Sequence, residues 1–95
     1  MSQLDDQFFD RADAHINLSN EQISENIGTG KVSASMMYST ARFNAWLSAS
    51  GWDSADELRT AKEETIEYFM NEYRKMLEEN LNEYIENFDD YMKQE

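Results

Sequence analysis

Apolar residues recur at steps of three and four along three stretches of the chain, separated by polar breaks. From about Leu4 to Asn26, Phe9, Ala12, Ile16, Ser19 and Ile23 fall on one helical stripe, which Leu4 and Phe8 widen. Asp5, Asp6 and Asp10 lie near its start, where the helix dipole favours negative charge. The GTG of Gly28–Gly30 is the clearest loop signal. The second stretch, from about Val32 to Ser50, is apolar on two sides. Ala34, Met37, Tyr38, Ala41 and Ala45 form one side, and Val32, Met36, Phe43, Trp46 and Leu47 the other. Such a helix is usually covered by more than one neighbour, so this is the expected central helix. Gly51 suits the position just past its end.

The third stretch starts sharply. Ser54 and Glu57 have capping-box spacing, in which each side chain satisfies a backbone amide at the helix start. From there to Met92 the chain has no Pro and no Gly, and Leu58, Ile66, Phe69, Tyr73, Leu77 and Leu81 keep mostly helical spacing. A helix of about forty residues would span about 60 Å, whereas the first two would reach about 33 Å and 28 Å. Either the third helix breaks, with the polar RTAKEET of Arg59–Thr65 as the favoured hinge, or its far end leaves the bundle. The fold class predicted is all-α. It is a three-helix bundle, or a four-helix one if the last helix breaks, with a long C-terminal helix. Residues 1–95 form a single domain, with helices at about 4–26, 32–50 and 54–92.

Length and charge sharpen this picture. A chain of 95 residues buries only roughly 60–65% of its unfolded surface, so its core must be compact or completed by a second chain. Twenty acids against eight bases give a net charge of −12. That potential repels nucleic acid and anionic membrane, so direct binding to either is not expected. The absence of Cys excludes disulfides, thiolate metal sites and thiol nucleophiles. The N-terminal MSQLDDQFFD has neither a basic nor an apolar signal region, and Val32–Gly51 is too polar to span a bilayer. A cytoplasmic protein is the simplest expectation.

The far end of the third helix is the candidate interface. Leu81, Tyr84, Ile85, Phe88 and Met92 lie on one side, with Tyr91 nearby. Glu79, Glu83, Glu86, Asp89 and Asp90 form the opposite, solvated face. Left open, the apolar side would make a patch that a monomer tends to avoid.

Candidate chemistry is sparse. His15, the only histidine, sits at the edge of the first apolar stripe, where a residue bordering the core outweighs a catalytic one. The Glu-x-x-His pattern of four-helix carboxylate metal sites is missing, because Ala12 precedes His15 by three. Glu63/Glu67, Glu79/Glu83 and Glu83/Glu86 have ligand-like spacing but lie toward polar faces. DDQFFDRADAH lacks the glycine and terminal Glu of a calcium loop. GTGKVS lacks phosphate-loop spacing, although Lys31 beside a helix start could meet an anion. No Ser-His-Asp set can be assembled. If Arg42 is buried, it needs a partner such as Asp13. No cofactor, metal ligand or catalytic residue is expected.

Three stretches together carry a resemblance: FFDRADAHINLSNEQ (Phe8–Gln22), KVSASMMYSTARFNAW (Lys31–Trp46) and EYFMNEYRKMLEENLNEYIENFDDY (Glu67–Tyr91). They resemble a family of short, acidic, mostly proteobacterial proteins classed as a domain of unknown function. The resemblance covers nearly the whole chain and implies a bacterial, helical, cytoplasmic protein. It brings no activity, cofactor or site residue.

The leading expectation is a non-enzymatic interaction or regulatory protein that self-associates, with a homodimer as the default because symmetric dimers are the commonest oligomers. The alternative is a binding module for a basic or amphipathic-helix protein partner, with aromatic anchors and carboxylate steering. Nucleic-acid mimicry by ordered carboxylates and an enzyme with an unrecognised site rank below both.

Overall fold

The computed structural model describes residues 5–93. Among them are four helices and no strand: α1 (Phe8–Gln22), α2 (Thr29–Ala49), α3 (Ala55–Glu86) and α4 (Phe88–Met92). The all-α class, the long helix toward the C-terminus and the fourth helix beyond a break match the pattern in the sequence. Leu4, predicted to open the first helix, lies outside the described residues. The chain divides into two units, one running up to Leu47 and the other from Ser48 onward.

In the first unit, Asp5 organises the entry to α1. Its carboxylate accepts the Gln7 amide at 2.9 Å and two bonds from the Arg11 guanidinium at 3.2 and 2.8 Å. The Arg11 bonds, and then the Gln7 amide, hold the Asp5 carboxyl below the usual aspartate value, and the same pairing raises Arg11. Whatever this exposed pair contributes to stability is present above the ordinary aspartate pKa and is lost as pH falls through the lowered one. α1 stops at Gln22, not near Asn26. Ile23 is extended, and the Ser24 hydroxyl accepts the amides of Asn26 and Ile27 at 3.3 and 3.1 Å. Serine thereby offers the backbone a turn in place of further helix.

α2 starts at Thr29, ahead of the predicted Val32, and takes in most of the expected glycine loop. The Val32 amide already donates to the Gly28 carbonyl at 3.3 Å. No described glycine has positive φ, so Gly51 does not make the left-handed cap predicted for it. Tight i to i−3 bonds close the helix: Gly51 N–H to the Ser48 carbonyl and Trp52 N–H to that of Ala49, each 3.2 Å.

The expected burial of α2 is corrected. Val32, 4% exposed, is the one buried residue among those described. Phe43 and Trp46 are each 63% exposed, and Ala34, Ala41 and Ala45 are open as well. The reason within this unit is plain: α1 does not pack along α2. The α1 stripe is likewise shallow. Phe8, Ala12 and Ser19 are half-buried, whereas Phe9 and Ile16 face solvent.

In the second unit, Ser54 caps α3 as its spacing implies. Its Oγ accepts the Glu57 amide at 3.1 Å. The Glu57 carboxylate reaches back to the Asp53 amide at 2.9 Å, one residue beyond the expected partner. α3 then runs unbroken for 32 residues, about 48 Å at the standard rise. The hinge considered at Arg59–Thr65 is absent, since this stretch is helical throughout. Arg59 is ion-paired to Asp56, and the Thr60 hydroxyl donates back to the Asp56 carbonyl at 3.0 Å. Leu58, Ala61, Thr65, Phe69 and Glu72 form a half-buried stripe at steps of three and four. Ile66, Tyr73 and Leu77, predicted on the apolar face with Leu58 and Phe69, remain exposed. Arg74 pairs with Glu78 on the open surface and Lys75 with the half-buried Glu72, both at helical spacing, where such pairs are worth about 0.2–0.5 kcal/mol each.

Replacing Ser54 with Ala leaves the Glu57 amide without its acceptor and should cost about 1 kcal/mol. The expected signature is a lower urea midpoint with an unchanged slope, and Ser54→Asp should keep the midpoint near that of the parent. An unmoved midpoint in Ser54→Ala would refute the cap.

Candidate functional site

The apolar spacing of the tail survives in the structure, but it is divided between two helices. Leu81, Tyr84 and Ile85 sit on the last turns of α3, and Phe88, Tyr91 and Met92 on α4. All six are exposed, from 46% at Tyr91 to 69% at Ile85. Leu77 continues the same side toward the middle of α3, 43% exposed.

Asn87 makes the division. Its backbone leaves helical geometry at φ −120° and ψ 32°. Its amide N–H donates to the Glu83 carbonyl at 3.0 Å, and its side-chain Nδ2 donates to the same oxygen at 3.1 Å. The Glu83 carbonyl thus accepts both bonds; Asn80 makes the same side-chain bond to the Met76 carbonyl at 2.8 Å inside unbroken α3, so the bond accompanies the break without causing it. Neither Gly nor Pro is involved. Helical bonding resumes when the Tyr91 amide donates to the Asn87 carbonyl at 3.1 Å.

Across this break the aromatic residues meet. The rings of Tyr84 and Tyr91 are 4.8 Å apart, tilted by 50°. The Tyr91 hydroxyl donates to Glu83 Oε2 at 2.6 Å, a short charge-assisted bond. Glu83 is therefore not simply part of the solvated face assigned to it by spacing. Its hydrogen bond, then its negative charge, pushes the Tyr91 phenol above the ordinary tyrosine value. At the end of α4, Lys93 pairs with Asp89 at 3.6 Å and lies 6.0 Å from the Phe88 ring centre. Residues 85–90 line an open concavity around the break.

The other residues weighed for chemistry stand apart from this surface. His15 is exposed on α1, so it does not border a core as expected. Arg42 is exposed too, and no ion pair joins it to Asp13 or to any other described residue. Among the described residues, no three His, Asp or Glu side chains gather at metal-binding distances. No described helix is long and apolar enough to cross a membrane. What spacing alone overlooked was Asn87 as the break and Glu83 as the phenol's partner. An Asn among strong helix formers, followed by Phe-Asp-Asp, was the available signal for the first.

This is an α-helical chain whose distinguishing surface is aromatic and acidic. Residues 8–85 match the model of a family described as a protein of unknown function (DUF3144), and the chain belongs to that family. A solved relative is the NMR structure of the protein NB7890A from Shewanella sp, 38% identical. The match covers 99% of this chain and 100% of that one, with a TM-score of 0.81. Comparison with curated proteins finds no match.

The Tyr91–Glu83 bond can be tested by ultraviolet titration of tyrosine, with Tyr91→Phe identifying the signal. Tyr91 should ionise later than an ordinary tyrosine, and Glu83→Gln should bring it back toward the ordinary value. Because the shift is upward, the bond's contribution to stability holds below the ordinary tyrosine pKa and is lost as pH rises through the raised one. An identical titration curve in Glu83→Gln would disprove the coupling.

Proposed function

We propose that the chain is a non-enzymatic protein-protein interaction or regulatory protein that self-associates through its C-terminal aromatic face. The observation that carries this reading is the exposure of Leu81, Tyr84, Ile85, Phe88, Tyr91 and Met92 on adjoining turns of α3 and α4. Contiguous apolar surface of this kind marks an interaction site. A twin chain is the default cover because it presents the same surface at the same concentration. The two tyrosines add large, semi-rigid contact area with polar tips, a chemistry enriched at interfaces.

A second reading is a docking face for a basic amphipathic helix of another protein. It is favoured by the run of residues between Lys75 and Lys93, which holds six acids and no base. Such a partner would associate faster at low salt, since carboxylates at the rim steer encounter.

Light scattering on a sizing column, over a range of concentrations, separates the two readings. Self-association predicts twice the 11.2 kDa chain mass, and truncation after Asn80 should then give a monomer or an aggregate. A stable monomer at every concentration would overturn self-association. A dimer unaffected by the truncation would overturn the tail as its contact.

A further inference from the structure

One side of α3 stays open along most of the helix. Ile66, Met70, Tyr73, Leu77, Leu81 and Tyr84 follow one another at steps of three and four, and all are exposed. At about 100° per residue they fall within about 80° of arc. The half-buried stripe through Leu58, Thr65 and Phe69 lies about 100° round the helix, so the seam is a separate strip of surface. Charged residues border it. Lys62 continues the seam toward the start of α3, is exposed, and has no ion pair with a described residue. Glu67 and Arg74 flank its middle on one edge, and Glu67 likewise has no ion pair with a described residue. Glu83 flanks its far end on the other edge, and Tyr91 engages its Oε2. Since α3 is one continuous helix, the spacing of these residues along its axis is fixed.

We infer that α3 pairs along this seam with α3 of a second copy, the two helices running antiparallel about a two-fold axis that passes between Asn71 and Glu72. This rests on the self-association proposed above and carries its contact from the C-terminal face to the middle of α3. With the axis there, Met70 meets Tyr73 of the other copy and Ile66 meets Leu77, each contact occurring twice. Lys62 comes level with Glu83 of the other copy. Glu67 comes level with Arg74, whose guanidinium has donors beyond the one that holds Glu78. Helix direction follows from the rest of the charge. A parallel pair, or a contact of tail with tail, would set side by side the two runs between Lys75 and Lys93, each with six acids and no base. Like charges facing each other across an interface are costly. The antiparallel pair carries those runs to opposite ends. At roughly 100 Å² of open surface per seam residue, each copy contributes about 600 Å² and the pair about 1,200 Å², the lower bound of a specific interface.

The test is the distance between identical spin labels in the dimer, measured by pulsed electron paramagnetic resonance. The chain has no cysteine, so single substitutions place the labels cleanly. Glu64→Cys and Glu86→Cys put them on exposed positions away from the seam. About the proposed axis the two labels at position 64 are separated by about 22 Å along the helix direction, and those at 86 by about 44 Å. The distance at 86 should therefore exceed that at 64 by more than about 10 Å. Equal distances at the two positions would mean parallel helices. A longer distance at 64 than at 86 would mean that the tails alone meet. Either result overturns the inference and leaves self-association standing. A second variant, Ile66→Lys with Met70→Lys, changes the seam outside the C-terminal face and uses a good helix former. Its dimer, followed by sedimentation, should be at least about tenfold weaker, because four buried apolar side chains are lost per pair. Circular dichroism reports whether its helices are intact. Parent-like dimerisation of this variant would also overturn the seam. A parent chain monomeric at all concentrations would instead sink the self-association beneath it.

Discussion

Apolar helix faces have to be covered by something, and most of the apolar residues of this chain are exposed. A helix stripe is stabilised chiefly by the area it removes from water, at about 25 cal/mol per Å², and isolated helices of ordinary length are marginal without that contribution. Here α1 and α2 share a unit without packing along each other, Val32 is the one buried residue among those described, and α3 offers only a half-buried stripe. Local devices such as the Ser54 cap and the Asp5–Arg11 bridge set where helices begin. They cannot replace a core. The self-association proposed for this protein is the supply of that missing surface.

The placement of charge follows from the same constraint. Most bases are tied to acids on their own helix or at its approach, where such pairs contribute little to stability and keep the surface hydrated. The excess acid is concentrated where the apolar face is broadest, from Leu77 to Met92. A segment built this way carries charge that opposes non-specific collapse, yet it keeps aromatic residues available for a partner.

Much of the architecture was legible in the sequence. Three helical stretches and the capping pair Ser54 and Glu57 were visible in spacing, whereas a break in the last helix was one of two alternatives raised by its length and was placed at Arg59–Thr65. The boundaries that differed did so for local reasons. Ser24 turned the chain with its hydroxyl before Asn26 was reached, and Gly30 proved acceptable in the first turn of α2. The break fell at Asn87, where the backbone leaves helical geometry, and not in the polar stretch at Arg59–Thr65, which stays helical although the Thr60 side chain also bonds to the carbonyl four residues back. The six tail residues were legible as a face. Its internal wiring was not, because only the break brings Tyr91 to Glu83 and Tyr84. Burial was the least legible property: periodicity shows which residues share a side of a helix, and the neighbour that meets that side lies outside the pattern.

The hydrogen bonds and ion pairs described above share one further property: they join residues no more than eight positions apart. Contacts of such short sequence range place little loop-closure entropy before the reward, and helices of this kind form in about a microsecond. If two copies complete each other's core, the slow step in maturation is not a rearrangement within one chain but the meeting of two. Refolding would then follow second-order kinetics, and the cellular concentration of the chain would set how fast it acquires its native form.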